Sequence, residues 1–313
     1  MKNLKLKLLR KLKTEPDAET KDFSFTSGGV QVKFIIHGPQ KKEIIDFFTY
    51  YFEAFPARKT FPDVIVHYYT HEKSSEYYRA DHPFWNEILE EFVVEKNKNS
   101  EIEIQQRDFI GIQTPDLVYH ATGPTLSQGC CDSTDNLVQY VLGKHLVSNG
   151  ILPLHAAAVV VDQEAWIFFG ESGAGKSTLA MSSFENNGYK IMAGDQIFLT
   201  ETDGQLMALA NTTTIFGFHR DHPAWSPGPW PVRCIFHLKA TPREYTFVRR
   251  EFRDLLPLFL RETVSWKEVI DSADLLDIVL KLGENESVLW GEFTYQKSEN
   301  FWPRLLKDVQ DEN

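Results

Sequence analysis

The strongest constraint on this chain is a glycine-rich octapeptide that stands between an apolar run and a segment with helical character. The octapeptide satisfies the pattern G-x-x-x-x-G-K-[ST] in full. The apolar run at 165–169 predicts a buried strand, and the residues from Thr178 onward predict a helix. Strand, glycine-rich turn and helix, in this order, are the context in which the pattern marks a phosphate-binding loop. Its members are Gly170, Glu171, Ser172, Gly173, Ala174, Gly175, Lys176 and Ser177.

This loop predicts a binding site for nucleotide phosphates and a metal ion. Glycines allow backbone N–H groups to converge on phosphate oxygens, and the helix N-terminus adds the positive end of its dipole. Lys176 is expected to reach the β- and γ-phosphates, and the hydroxyl of Ser177 is expected to ligate Mg²⁺. The predicted nucleotide-binding segment therefore runs from Gly170 to Thr178.

Composition limits the remaining possibilities. The 313 residues are 42% hydrophobic and 25% charged, which suits a globular protein of one large domain or, as we prefer, two domains. The net charge of −11 argues against a general nucleic-acid binder. Cys130, Cys131 and Cys234 show neither metal-ligand spacing nor a disulfide framework. With no apolar run of about 18 residues and no signal-peptide core, we expect a cytoplasmic protein.

The first 20 residues predict a basic amphipathic segment. Leucines at positions 4, 8 and 12 recur among lysines and an arginine, as they would along one side of a helix. Residues 1–13 would lie on an anionic membrane surface or on a partner, or would pack on their own domain or fray.

Residues 21–150 predict an α+β domain without identifiable chemistry. An alternating pattern around Gly28–Gly29 predicts a β-hairpin. Further segments suggest helices at 41–55, 84–92 and 134–148, and short strands at 63–69, 109–112 and 117–120. The domain boundary is expected near Gly150.

The second half supplies one carboxylate for the loop. Residues 152–161 and 189–193 predict strands, and Asp195 follows the second of them. If that strand lies beside the loop strand and parallel to it, its carboxyl end brings Asp195 to the bound phosphates. Asp195 would then hold Mg²⁺ directly or through water. The alternative is a turn aspartate without a role.

A longer stretch of sequence resembles a known family. Leu154-His155-Ala156-Ala157, the octapeptide, and the segment from Gly188 to Asp195 together resemble the HPr kinase/phosphorylase family, whose core is shared with ATP-dependent phosphoenolpyruvate carboxykinase. The resemblance is good from Leu152 to Leu199 and only general further on. It implies an α/β architecture, in which a P-loop, HPr-kinase-like domain with a mixed sheet spans 151–313 and follows the smaller α+β domain. It also implies a tendency to form homo-oligomers.

The resemblance implies transfer of a phosphoryl group from ATP, or from pyrophosphate, to a hydroxyl, with Mg²⁺ as cofactor. A serine of a protein or peptide is the favoured acceptor. The family's strand histidine falls on His155 and its metal-binding aspartate on Asp195. Arg220 is a separate candidate: it lies in a long loop rich in Pro, Gly and aromatic residues, and it would neutralise charge on the transferring phosphoryl group. A solvated loop arginine and a satisfied core histidine are the alternatives for Arg220 and His155.

Two departures from the family leave the chemistry open. The family carries two successive aspartates after the second strand, and here Gly194 replaces the first, which is expected to take the acceptor's proton. His155 serves as the base, or Asp195 does both jobs, or catalysis is lost. The first half does not resemble the regulatory domain of bacterial HPr kinases, so the substrate need not be HPr. A small-molecule kinase and a non-catalytic nucleotide-binding regulator stay open. An ABC-type ATPase is disfavoured because its signature is missing downstream of the loop.

Overall fold

The computed structural model forms two compact units that divide between His145 and Leu146. It describes residues 2–14, 19–52, 55–70, 93–105, 109–116, 118–123, 130–211, 223–239, 244–263, 272–296 and 299–312. The helix α3 (Cys130–Ser148) runs through the division. The domain limits at positions 20 and 150 therefore stay predictions.

The first unit is built on one mixed sheet. Among the described residues its seven strands lie in the order β1-β2-β3-β7-β6-β5-β4. Strands β2, β3 and β7 are parallel, and the other pairs are antiparallel. The elements in chain order are α1 (Lys2–Thr14), β1 (Lys21–Ser27), β2 (Val30–His37), α2 (Lys41–Phe52), β3 (Val64–Tyr69), β4 (Val93–Lys96), β5 (Ile102–Gln105), β6 (Ile110–Gln113), β7 (Val118–Thr122) and α3.

Local patterns predicted several of these elements. The hairpin is confirmed: β1 and β2 pair around Gly28 and Gly29, both at positive φ, as a two-residue hairpin turn requires. Helix α2 is described over Lys41–Phe52, and residue 55, its predicted end, is not helical. Helix α3 includes residues from Cys130 onward, before the predicted start at 134. The helix predicted at 84–92 lies outside the described residues.

Helix α1 packs on its own unit. Leu6 and Leu9 are buried, and Leu12 packs beside them. Of the predicted stripe at 4, 8 and 12, Leu12 lies in this cluster and Leu8 is partly buried, while the side chain of Leu4 lies outside the described part of the structure. Contact of residues 1–13 with a membrane or partner stays a prediction. The leucines meet Tyr69, Ile110 and Ile112, and ion pairs join Arg10 to Glu103 and Lys13 to Glu101.

Three histidines lie on neighbouring parallel strands of the first unit. The rings of His67 and His120 stack with centroids 4.9 Å apart, and Nε2 of His37 lies 2.9 Å from Nδ1 of His67. Burial, assisted by the charge of Lys13, lowers the pKa of His120 to about 4. The pKa of His67 is lowered for the same reasons. The folded unit thus favours neutral imidazoles at this place.

We predict that the first unit loses stability as the pH falls from about 6.5 toward 4, because His120 takes up its proton more readily in the unfolded chain. We expect about 1–2 kcal/mol from this ring, less than the full shift implies, because it is partly exposed. Thermal unfolding near pH 7.5 and near pH 5 measures the effect. The drop between the two conditions should shrink in His120→Gln. An equal drop in both proteins would contradict this explanation.

The second unit contains a mixed sheet with helices, so the chain as a whole is mixed α/β. Within the described residues the sheet order is β10-β8-β11-β12-β13-β15-β14, and β9 pairs with both β8 and β13. Strand β13 is parallel to β9 and β15. The elements are β8 (Leu152–Val161), β9 (Glu164–Phe169), α4 (Lys176–Asn187), β10 (Lys190–Ala193), β11 (Gln196–Thr202), β12 (Gln205–Ala210), β13 (Trp230–Leu238), β14 (Thr246–Arg249), α5 (Phe252–Glu262), α6 (Ser272–Gly283), β15 (Leu289–Thr294) and α7 (Trp302–Asp311).

Strand β9 and helix α4 are anchored in an aromatic core. Phe168 and Phe169 of β9 are fully buried. Trp302 of α7 donates a hydrogen bond from its indole N–H to the hydroxyl of Ser183 at 2.7 Å, and this contact ties α7 to α4. Such buried aromatic packing gives the turn between β9 and α4 a rigid base. No helix in the described part of the chain is long and apolar enough to cross a membrane.

Candidate functional site

In the second unit the ends of strands β9 and β10 lie on the same side of the sheet, near His155 of β8. Strands β9 and β10 are both antiparallel to β8 and therefore run in the same direction. The sequence analysis made the approach of Asp195 conditional on β10 lying beside the loop strand and parallel to it. The two strands do run in the same direction, but β8 lies between them. The functional consequence survives, since Gly170 after β9 and Asp195 after β10 still emerge at the same end, where β8 carries His155 opposite Gln196.

Three glycines of the turn between β9 and α4 have positive φ: Gly170, Gly173 and Gly175. Gly170 has a φ of 151°, and a Cβ atom there would lie 2.5 Å from the carbonyl oxygen of Leu238. Gly175 precedes the helix with a φ of 101°. Both conformations are unfavourable for other residues. The first N–H groups of α4 have no partner within the helix, as at any helix N-terminus, and no side chain caps them.

Lys176 lies inside the loop. It is 5% exposed, and its ammonium group donates hydrogen bonds to the carbonyl oxygens of Gly170 at 2.6 Å and Glu171 at 3.1 Å. Burial lowers the pKa of Lys176, while the nearby carboxylates of Glu262 and Asp195 oppose the shift. The structure therefore holds a cation where the motif predicts the phosphate-binding lysine.

Ser177 and Asp195 approach the loop from two elements. The hydroxyl of Ser177 donates a 2.9 Å hydrogen bond to the carbonyl oxygen of Gly194. Oδ1 of Asp195 lies 3.1 Å from Nε2 of His155. This hydrogen bond, together with the charges of His155 and Lys176, lowers the pKa of Asp195 although burial acts in the opposite direction. Asp195 is thus an ionised carboxylate beside the loop.

His155 has a second carboxylate partner that the sequence analysis missed. Nδ1 of His155 lies 3.1 Å from Oε2 of Glu262, in the last turn of α5. Glu262 is 7% exposed. One signal was available: Leu255, Phe259 and Glu262 share the buried face of α5, so the sequence placed an acidic residue on an apolar stripe. That pattern did not indicate which strand residue Glu262 would contact.

An arginine also reaches the loop. A guanidinium nitrogen of Arg261 lies 2.8 Å from Oε1 of Glu171, and its Nε lies 3.5 Å from Oε1 of Glu262. Arg220, the arginine that the sequence suggested for this role, lies outside the described residues. Arg261 is therefore the arginine for which the structure supports contact with the loop.

The oxygen atoms at the site suit a magnesium ion that is bound mainly through a ligand. Magnesium prefers oxygen donors and is held by one or two carboxylates together with substrate phosphates and waters. Ser177 and Asp195 supply a hydroxyl and a carboxylate of this kind. No group of three or more His, Cys, Asp or Glu residues in the described chain is arranged to hold a metal alone. The donor set fits a metal that arrives with a nucleotide.

We predict that Gly170→Ala destabilises the second unit more than Gly173→Ala. Both glycines have positive φ, which costs other residues on the order of 1–3 kcal/mol. A Cβ atom at Gly173 meets nothing within 4 Å, whereas one at Gly170 collides with the backbone of Leu238. Urea unfolding of the two variants measures the difference, and equal losses would contradict it.

Comparisons with known proteins give a distant structural relationship. No protein-family model matches the chain, and no curated protein matches it significantly. A solved structure that does match is the Hpr(Ser) kinase/phosphatase from Coxiella burnetii, at 14% sequence identity and a TM-score of 0.29. The match covers 51% of this chain and 94% of that chain. The relationship is one of structure, over about half of the chain.

Proposed function

We propose that this protein is a Mg²⁺- and ATP-dependent kinase that phosphorylates a hydroxyl group, with a serine of a protein or peptide as acceptor. The observation that carries the proposal is the convergence of Lys176, Ser177, Asp195 and His155 at one edge of the second sheet. A lysine, a hydroxyl and a carboxylate around a glycine-rich turn are the groups that phosphoryl transfer requires.

The triphosphate would bind across the turn between β9 and α4. Backbone N–H groups of residues 173–178 and the N-terminus of α4 would contact its oxygens. Lys176 would exchange its bonds to the carbonyls of Gly170 and Glu171 for bonds to the β- and γ-phosphates. Ser177 and Asp195 would ligate Mg²⁺, which when bound neutralises charge on the β- and γ-phosphate oxygens. The chain's own contribution is to position these groups in advance.

In the transfer step, the acceptor oxygen forms a bond to the γ-phosphorus while the bond from that phosphorus to the bridging oxygen breaks. ADP leaves with the electron pair of the broken bond. The hydroxyl proton passes to the carboxylate of Asp195, whose side chain is 40% exposed and thus open to an acceptor. A base of low pKa suffices if the transition state is loose, because little charge develops on the attacking oxygen.

The acceptor class rests on the sequence resemblance. A serine is a hydroxyl on a flexible chain, which an exposed carboxylate can approach without an enclosed pocket. We therefore expect label from ATP to appear on small proteins or peptides encoded beside this protein. Label on a metabolite alone would favour a small-molecule kinase, and nucleotide binding without transfer would favour a regulator.

We predict that Lys176→Ala lowers phosphoryl transfer and ATP hydrolysis by at least about 100-fold, the usual loss when one charge-stabilising donor is removed. Lys307→Ala, in which an exposed lysine of α7 is removed, is the matched control and should retain activity. Initial rates with labelled ATP measure both. A wild-type protein no more active than Lys176→Ala would rule out the kinase.

We predict that Gly194→Asp folds normally and raises the transfer rate on the order of tenfold, which is less than the roughly 10²- to 10⁴-fold typical of a general base because Asp195 already takes the proton. A Cβ atom at Gly194 lies 3.9 Å from Cβ and Oγ of Ser177, an ordinary contact, so the first atom of the new side chain meets no clash. The second carboxylate would separate proton removal from metal binding, which Asp195 otherwise combines. Single-turnover rates with saturating Mg²⁺ test this. A lower rate in a stable variant would show that Asp195 alone is the better arrangement.

A further inference from the structure

His155 is held between two carboxylates that come from different parts of the second unit. Nε2 lies 3.1 Å from Oδ1 of Asp195, and Nδ1 lies 3.1 Å from Oε2 of Glu262. The two nitrogens occupy fixed positions in one rigid ring. A partner that holds Nδ1 therefore determines the direction of Nε2, which makes Glu262 the group that sets the orientation of His155 toward Asp195.

A carboxylate at the position of Glu262 is energetically unfavourable for the fold. Its carboxylate is taken out of water on the buried face of α5, beside Leu255 and Phe259. It also lies in the last turn of a helix, where the dipole disfavours negative charge. An apolar side chain would satisfy the packing of this face at lower cost. The acidic side chain at this position is therefore explained by its contacts and not by the packing of the helix face.

Both oxygens of this carboxylate have partners. Oε2 contacts His155, and Oε1 lies 3.5 Å from Nε of Arg261. Arg261 in turn pairs with Glu171 of the phosphate-binding loop. The end of α5 thus holds the strand histidine and the loop at the same time, and the carboxylate has little freedom to turn away.

We propose that Glu262 is a positioning residue: it fixes the ring of His155 so that Nε2 holds the carboxylate of Asp195 at the edge of the phosphate-binding loop. In this proposal Glu262 acts through its contact with His155. The catalytic consequence rests on the proposed kinase function, because Asp195 is the group that meets the metal and the acceptor hydroxyl there. The geometric part does not depend on that function.

Two substitutions separate orientation from packing. Glu262→Gln keeps a side chain that hydrogen-bonds to Nδ1, whether the ring nitrogen donates or accepts. Glu262→Leu keeps similar bulk and removes every hydrogen bond. Asp254→Asn, an exposed acid in the first turn of the same helix, is the matched control. Because Leu suits an apolar face, we expect the Tm of Glu262→Leu to equal or exceed that of the wild type.

Crystal structures of the wild type and both Glu262 variants test the geometry directly. We expect the contact between His155 and Asp195 at about 3 Å in the wild type and in Glu262→Gln, and its loss in Glu262→Leu. Retention of the contact in Glu262→Leu would overturn the proposal, as would its absence from the wild type. This result stands whether or not the protein transfers phosphate.

Kinetics test the consequence. We expect kcat to fall about 10- to 100-fold in Glu262→Leu and less than about threefold in Glu262→Gln and Asp254→Asn, with little change in KM for ATP, because a misplaced catalytic group loses rate rather than binding. An equal fall in Glu262→Gln and Glu262→Leu would overturn the positioning role. A wild-type protein without transfer activity would refute the kinase, and the crystal structures alone would then decide the role of Glu262.

Discussion

The pairing of β8 along both of its edges determines where every described candidate residue of the site lies. On one edge β8 pairs with β9, and on the other it pairs with β10 and then β11. These antiparallel pairings make β9 and β10 run in the same direction. The turn after Phe169 and the turn after Ala193 consequently open on the same side, next to His155. Strand β8 is thus the element through which the loop and Asp195 are held near each other.

Charged side chains lie close together at this edge of the sheet, where they are largely shielded from water. Lys176 and Glu262 are both almost completely buried, which is costly for either group alone. Each lowers the cost for the other, because the carboxylates of Glu262 and Asp195 favour the charged form of Lys176. Such mutual dependence means that the site is stable as a set. Removing Lys176 would leave the buried carboxylate of Glu262 without this cation. Removing Glu262 would still leave Asp195 beside Lys176.

The parts of the site that could be predicted from the sequence are those whose residues lie close together along the chain. The loop was predictable because its eight residues are contiguous and their spacing carries the chemistry. Asp195 was a candidate because it follows a strand close to the loop in sequence, although the strand that separates β9 from β10 was not foreseen. Glu262 escaped because it meets His155 across 107 positions, and no local pattern encodes such a contact. The leucines of α1 show the same limit: periodicity predicted a helix, and tertiary packing chose which leucines it buried.

Gly194 is a glycine that its backbone conformation and its surroundings do not require. Glycine is usually required by a positive φ or by a close approach of other atoms. Neither applies here, since Gly194 has no positive φ and a Cβ atom would meet only ordinary contacts with Ser177. The site uses Gly194 through its backbone, whose carbonyl oxygen accepts the bond from Ser177. Backbone conformation and crowding of a Cβ atom therefore do not explain the glycine at this position.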